Sequence, residues 1–79
     1  MTATERKVIS IVSEKLGVSE SNVTLDTAFM DLGVDSLDFI ELVMAFEDYF
    51  DITIPDEDGE ALKTVREAVE YIDKRSNLG

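Results

Sequence analysis

Helical periodicity in residues 33–50, GVDSLDFIELVMAFEDYF, limits the chain to folds built around one long amphipathic helix. At about 100° per residue, the larger apolar side chains of this segment fall on two different sides of such a helix. The first side spans a sector of about 100° and consists of Phe39, Leu42, Val43, Phe46 and Phe50. This side is wide enough to be the buried face of a small helical bundle.

The second apolar side consists of Leu37, Ile40 and Met44 and lies nearly opposite the first. Carboxylates alternate with it at Glu41, Glu47, Asp48 and Asp51. A domain of this size can hardly bury both sides of one helix, so the pattern predicts an exposed docking surface. Apolar side chains would supply affinity there, and the charges would steer the partner. The alternative is that the third helix or the preceding loop covers this side.

Three further helices are predicted from apolar spacing and capping residues. The first runs from about Ala3 to Leu16, and Gly17 suits the left-handed position after it. A short third helix is predicted from an Asp56 cap to about Leu62. The last begins at Thr64, which forms a capping box with Glu67. Its buried stripe is expected to consist of Val65, Ala68, Val69 and Ile72.

The irregular segment between the first two helices, residues 18–35, is expected to be a long loop held to the core by apolar anchors. These anchors are Val23, Leu25, Phe29 and Leu32. No alternating strand pattern of useful length occurs, so the predicted fold class is all-α. We expect a small four-helix bundle with a long loop between helices 1 and 2 and a short third helix, formed by residues 1–79 as a single domain.

Composition excludes several kinds of catalytic and metal site. The chain has no Cys and no His, which removes thiol and imidazole chemistry and most zinc or haem ligation. A calcium loop centred on Gly59 fails because Ile54 and Val65 would occupy positions that require carboxylates. An enzyme based on carboxylates alone is disfavoured, since a small bundle offers no obvious cleft. We therefore expect no metal site and no enzyme.

Charge is distributed very unevenly along the chain. The net charge is −11, all seven basic residues lie outside residues 16–62, and 13 of the 18 acidic residues lie inside them. Such a field repels nucleic acids and acidic membranes and attracts proteins with basic patches. Solubility alone is the alternative explanation. No signal pattern or membrane-spanning run is present, so a location in the cytoplasm is expected, or in a plastid if a leader has been removed. The chain is also expected to be a monomer.

Ser36 stands at the predicted start of the long helix, beside Asp35 as the N-cap. A pair of this kind is most often a plain cap. A hydrolase nucleophile is disfavoured, because the surroundings are VDSLD and no histidine is present to act as a base. Backbone N–H groups at a helix N-terminus favour anions, so a phosphate ester on Ser36 is physically reasonable, although Asp35 and Asp38 would oppose it in part. Another protein would have to form that ester.

Residues 31–58, DLGVDSLDFIELVMAFEDYFDITIPDED, resemble the signature of the acyl carrier proteins. The DSLD core, the helix behind it, the IPD segment and the TV that opens the last helix all recur in register. The family's size, acidity and four-helix plan cover the whole chain. With its G-x-D pattern before the serine, the chain resembles the freestanding carriers of bacterial or plastid fatty acid synthesis more than it resembles peptidyl carriers.

The resemblance implies that Ser36 receives 4'-phosphopantetheine from coenzyme A through a phosphopantetheinyl transferase. Acyl groups would then be held as thioesters and presented to the enzymes of fatty acid or polyketide synthesis through basic patches on those enzymes. An imported thiol would explain thioester chemistry in a chain without Cys. An acidic helical module that binds a basic protein without being modified is the alternative function.

Further positions take their roles from the same resemblance. The partner-docking residues that it implies are Asp35, Leu37, Asp38, Ile40, Glu41, Met44, Glu47, Asp48, Asp56 and Glu57. The acyl pocket that it implies is lined by Phe29, Phe46, Phe50, Ile54, Leu62, Ala68 and Tyr71. Each pocket residue is equally an ordinary core candidate, so both interpretations stay open for this set.

Overall fold

The computed structural model describes residues 2–76 and is built from four α-helices. These are α1 (Ala3–Leu16), α2 (Ser36–Phe50), α3 (Asp56–Ala61) and α4 (Val65–Ser76). Two 3₁₀ turns, Glu20–Asn22 and Phe29–Leu32, lie in the long loop between α1 and α2. The predicted all-α bundle with a short third helix is therefore confirmed. Residue 1 and residues 77–79 of the predicted domain lie outside the described part.

Each long helix begins or ends where its sequence signal predicts. Gly17 closes α1 in the left-handed region at φ 68°. Asp35 caps α2, because its carboxylate accepts a hydrogen bond from the amide of Asp38 at 2.8 Å. Thr64 and Glu67 form the capping box of α4, in which each accepts from the other's backbone amide, at 3.2 and 3.0 Å.

The start of α3 differs from the prediction. Pro55 is its N-cap and makes no side-chain capping bond, and Asp56 is already the first helical residue. The amide of Gly59 donates to the carbonyl of Pro55 at 2.9 Å, so the first intrahelical bond already closes on the proline. The Asp56 cap was therefore wrong by one position.

One hydrophobic core joins α1, α2, α4 and the long loop. Val8, Leu42 and Ile72 are fully buried in it. All four stripe residues of α4 are buried as predicted: Val65, Ala68, Val69 and Ile72. Of the loop anchors, Val23 and Phe29 are buried, while Leu25 and Leu32 pack against the core with partial exposure.

The loop before α2 is also fastened to α4 through its backbone. The amides of Val65 and Arg66 donate to the carbonyls of Thr27 and Leu25, and the amide of Phe29 donates to the carbonyl of Lys63, all within 3.0 Å. These bonds fix the segment that leads to the start of α2. In the described residues, no helix is long and apolar enough to span a membrane.

Candidate functional site: the N-terminus and exposed face of α2

Ser36 is the first residue of α2, and its side chain is exposed. Gly33, at φ 73°, closes the preceding 3₁₀ turn and lets the chain change direction before the helix. The carbonyl of Asp35 accepts the first intrahelical bond, from Phe39 at 3.0 Å. The amides of Ser36 and Leu37 precede that bond and have no intrahelical acceptor, so they point out of the helix end.

This geometry places an accessible hydroxyl beside backbone N–H groups at the positive end of a 15-residue helix. A phosphate ester on that oxygen fits the site, since the N-terminus of a helix favours an anion. Asp35 is exposed and Asp38 is partly exposed beside it. The chain has no histidine that could remove the proton from Ser36.

The second apolar side of α2 is open to solvent in the structure. Leu37 is 66%, Ile40 54% and Met44 59% exposed. Neither α3 nor the long loop covers these side chains, so the alternative in which this side is buried is wrong. We call Leu37, Ile40 and Met44 the α2 ridge.

Most of the predicted docking carboxylates are exposed in the structure. Glu41, Asp48, Asp56 and Glu57 are exposed. A shallow groove beside the ridge is lined by Glu41, Met44, Ala45, Glu47 and Asp48, and also by Lys15 from the end of α1. A partner that docks here therefore meets carboxylates together with one ammonium group that the sequence pattern did not associate with this face.

Glu47 has a structural contact that sequence analysis missed. It is only partly exposed, and its carboxylate accepts from the backbone amide of Ile54 at 2.8 Å. This bond crosses from α2 to the segment before α3, and no local pattern indicates it because the residues are seven positions apart. Glu47 is thus held at the edge of the docking surface by the α2–α3 connection.

The seven predicted acyl-pocket residues come together in the interior as part of one core. Five of them are buried: Phe29, Phe46, Ile54, Leu62 and Ala68. Phe50 and Tyr71 pack against the same core while partly exposed. Since each side chain serves as core packing, their role around an acyl chain stays a prediction.

A separate cleft lies at the opposite end of α2 from Ser36. Its lining includes the first turns of α1 and the pair Tyr49 and Phe50. The two rings pack edge to face with centroids 5.0 Å apart, and the Lys7 ammonium lies 4.5 Å from the centre of the Tyr49 ring. Phe50 therefore borders this outer cleft as well as the core.

A carboxylate in α3 has partners that the sequence did not indicate. Asp58 accepts from the hydroxyl of Tyr71 at 2.6 Å and from the guanidinium of Arg75 at 3.2 Å. Partial burial, followed by the hydrogen bond to Asp58, raises the pKa of the Tyr71 phenol above its usual value of 10.0. Tyr71 is thus a neutral donor at physiological pH.

A family model and a crystal structure both match most of the chain. A family model described as "Phosphopantetheine attachment site" matches residues 6–72. The fold is also similar to the crystal structure of an acyl carrier protein from Thermotoga maritima, with a TM-score of 0.80 and 33% sequence identity. That match covers 95% of this chain and 93% of the other.

Proposed function

The chain belongs to the acyl carrier proteins, the family with a phosphopantetheine attachment site, and from this we propose that Ser36 bears the cofactor and that fatty acid synthesis uses the carrier. Members of this family are carriers, not enzymes, and their covalent cofactor is 4'-phosphopantetheine. That cofactor supplies a terminal thiol on which acyl groups are held as thioesters. The exposed hydroxyl of Ser36 at the start of α2 is the observation that carries the proposal.

Loading of Ser36 requires a transferase and coenzyme A. The oxygen of Ser36 forms a bond to the phosphorus next to pantetheine, the bond from that phosphorus to the adenosine bisphosphate breaks, and the hydroxyl proton passes to a base on the transferase. The chain contributes the nucleophilic oxygen and the amides of the first turn of α2, which favour the phosphodiester anion.

Partner enzymes would dock on the α2 ridge and its surrounding carboxylates. The ridge begins at Leu37, the residue after the proposed attachment point, so an enzyme seated on it has the cargo within reach. Basic patches on fatty acid synthesis enzymes would complement Glu41, Asp48, Asp56 and Glu57. The G-x-D pattern before Ser36 resembles the freestanding carriers of fatty acid synthesis more than peptidyl carriers, and this resemblance supports the fatty acid assignment.

Intact mass tests the attachment site directly. After incubation with coenzyme A and a promiscuous phosphopantetheinyl transferase, the wild-type chain should gain the mass of one phosphopantetheine. Ser36→Ala should gain nothing, whereas Ser21→Ala, a control at another exposed serine, should be modified normally. An unmodified wild-type chain would favour the unmodified interaction module instead. Modification that persists in Ser36→Ala would place the attachment elsewhere.

Pathway use is tested with the loaded carrier. The acyltransferase and synthase of fatty acid synthesis should accept it as a substrate, and those of a polyketide system should accept it poorly. The reverse preference would contradict the fatty acid assignment and leave the carrier role intact.

A further inference from the structure

The short helix α3 forms part of the cover over the core between α2 and α4. Gly59 is buried in it, and a Cβ placed on Gly59 would lie 3.9 Å from the Cγ2 methyl carbons of both Ile54 and Val43. The backbone of α3 therefore rests directly on apolar side chains. Leu62, immediately after α3, is also buried. Displacing α3 would expose the part of the interior that includes Ile54 and Leu62.

Little within α3 itself can hold the helix in place. It has six residues, its N-cap Pro55 makes no side-chain bond, and Gly59 lies in its interior. Isolated helices of fewer than about 12 residues are marginal in water, and Gly costs about 1 kcal/mol relative to Ala. The position of α3 must therefore depend on contacts with the rest of the molecule.

Asp58 provides the polar part of those contacts. One carboxylate oxygen accepts from both Tyr71 and Arg75, at 2.6 and 3.2 Å, and the Arg75 guanidinium lies 4.9 Å from the centre of the Tyr71 ring. The three side chains thus join α3 to two successive turns of α4. A hydrogen bond that involves a charged group is stronger than a neutral one, so this single oxygen adds to the apolar contacts that fix α3.

We propose that Asp58 is a positioning residue that latches α3 onto α4 through Tyr71 and Arg75, and that this latch controls whether a carried acyl chain is enclosed in the core or exposed. The second half of this inference rests on the proposed carrier function. Release of Asp58 lets α3 move away from Val43 of α2 and opens a path into the apolar interior. Closure of the latch shields the chain from water.

Hydrogen exchange of the unmodified chain tests the latch independently of any cargo. In Asp58→Ala, the amides of Gly59 and Leu62, which are bonded within α3, should exchange about tenfold faster than in the wild type. Amides of α1 should keep their rates. Asp58→Asn retains an oxygen that can accept from Tyr71 and should show an intermediate rate. Asp26→Ala removes the exposed ion pair with Arg66 and serves as the matched control, with α3 unchanged.

The loaded chain tests the consequence for the cargo. The rise in melting temperature from the phosphopantetheine form to the octanoyl form should be at least halved in Asp58→Ala and retained in Asp26→Ala. Unchanged α3 exchange in Asp58→Ala would overturn the latch, and an unchanged octanoyl effect would overturn its role in enclosing the chain. Failure of Ser36 to be modified would instead overturn the proposed function and leave the exchange result standing.

Discussion

Single residues decide how firmly the short helix α3 is formed. Gly59 is buried, yet a Cβ there would make ordinary contacts at 3.9 Å, with space for one methyl group. Gly59→Ala should therefore stabilise the protein by about 0.5–1 kcal/mol, through helix propensity and lower entropy of the unfolded chain. Urea unfolding measures this change.

Gly17→Ala is the matched control for that substitution. Gly17 has φ 68°, where an L-residue is strained, so the same chemical change should destabilise the protein by about 1 kcal/mol. Destabilisation by both substitutions would show that α3 does not tolerate a methyl group at Gly59.

Glu67 ties the stability of the α4 N-terminus to pH. Its carboxylate accepts from the amides of Lys63 and Thr64, and these bonds lower its pKa below the usual 4.5. Because the pKa is lower in the folded state, the stabilisation is present above about pH 4.5 and is lost as the pH falls through the folded value. Glu67→Gln cannot titrate, so the stability difference between wild type and Glu67→Gln should shrink below about pH 4. A difference that is constant with pH would contradict this role.

At the scale of elements, the two sides of α2 have separate roles. Met44 is 59% exposed on the α2 ridge, whereas Leu42 is fully buried. Met44→Ala should change the free energy of unfolding by less than about 0.5 kcal/mol, while Leu42→Ala should cost about 2–5 kcal/mol. Thermal or urea unfolding separates these outcomes.

Substitutions on the exposed face of α2 should weaken docking of a partner enzyme while leaving folding stability nearly unchanged. Met44→Ala or Glu41→Lys should lower the kcat/KM of the transferase about tenfold, which corresponds to about 1.4 kcal/mol. The helical circular dichroism should remain near that of the wild type. Loss of helicity in Met44→Ala would show that the ridge is part of the core.

Local patterns explain why the helices could be predicted and some of their contacts could not. Spacing of 3.6 residues and capping residues act over a few positions, so α1, α2 and α4 were predicted closely from the sequence. The hydrogen bonds from the Ile54 amide to Glu47 and from the Tyr71 hydroxyl to Asp58 join residues 7 and 13 positions apart. They depend on how helices pack, which neither periodicity nor capping encodes. The same holds for Lys15 beside the α2 ridge.

Some features of the candidate site follow from the sequence pattern, and others do not. The position of Ser36 at the tip of α2 follows from its cap, and the exposed ridge follows from helical spacing. Helical spacing cannot tell which residues would line an acyl pocket, because Phe46 and Ala68 lie on helix faces that any bundle of this kind would bury. Core packing and ligand enclosure use the same apolar side chains.

The whole molecule is small relative to the range of its own charges. Its Cα atoms extend 29 × 27 × 19 Å, while the Debye length is about 30 Å at 0.01 M ionic strength and about 10 Å at 0.1 M. At low salt, therefore, every carboxylate interacts with nearly every other. The described residues contain two ion pairs, Asp26 with Arg66 and Asp58 with Arg75, against a net charge of −11. Repulsion must outweigh these pairs.

Salt should consequently stabilise the fold. We expect the melting temperature to rise from about 10 mM to about 0.5 M NaCl, and to rise at lower concentrations of Mg²⁺, because a divalent cation screens negative charge more effectively than Na⁺. The double variant Asp48→Asn, Glu57→Gln removes two exposed charges, so it should melt higher than the wild type at low salt and gain less from added NaCl. Equal salt responses in the two chains would mean that salt acts through general solvent effects. A melting temperature that is indifferent to salt would contradict the repulsion that the charge distribution predicts.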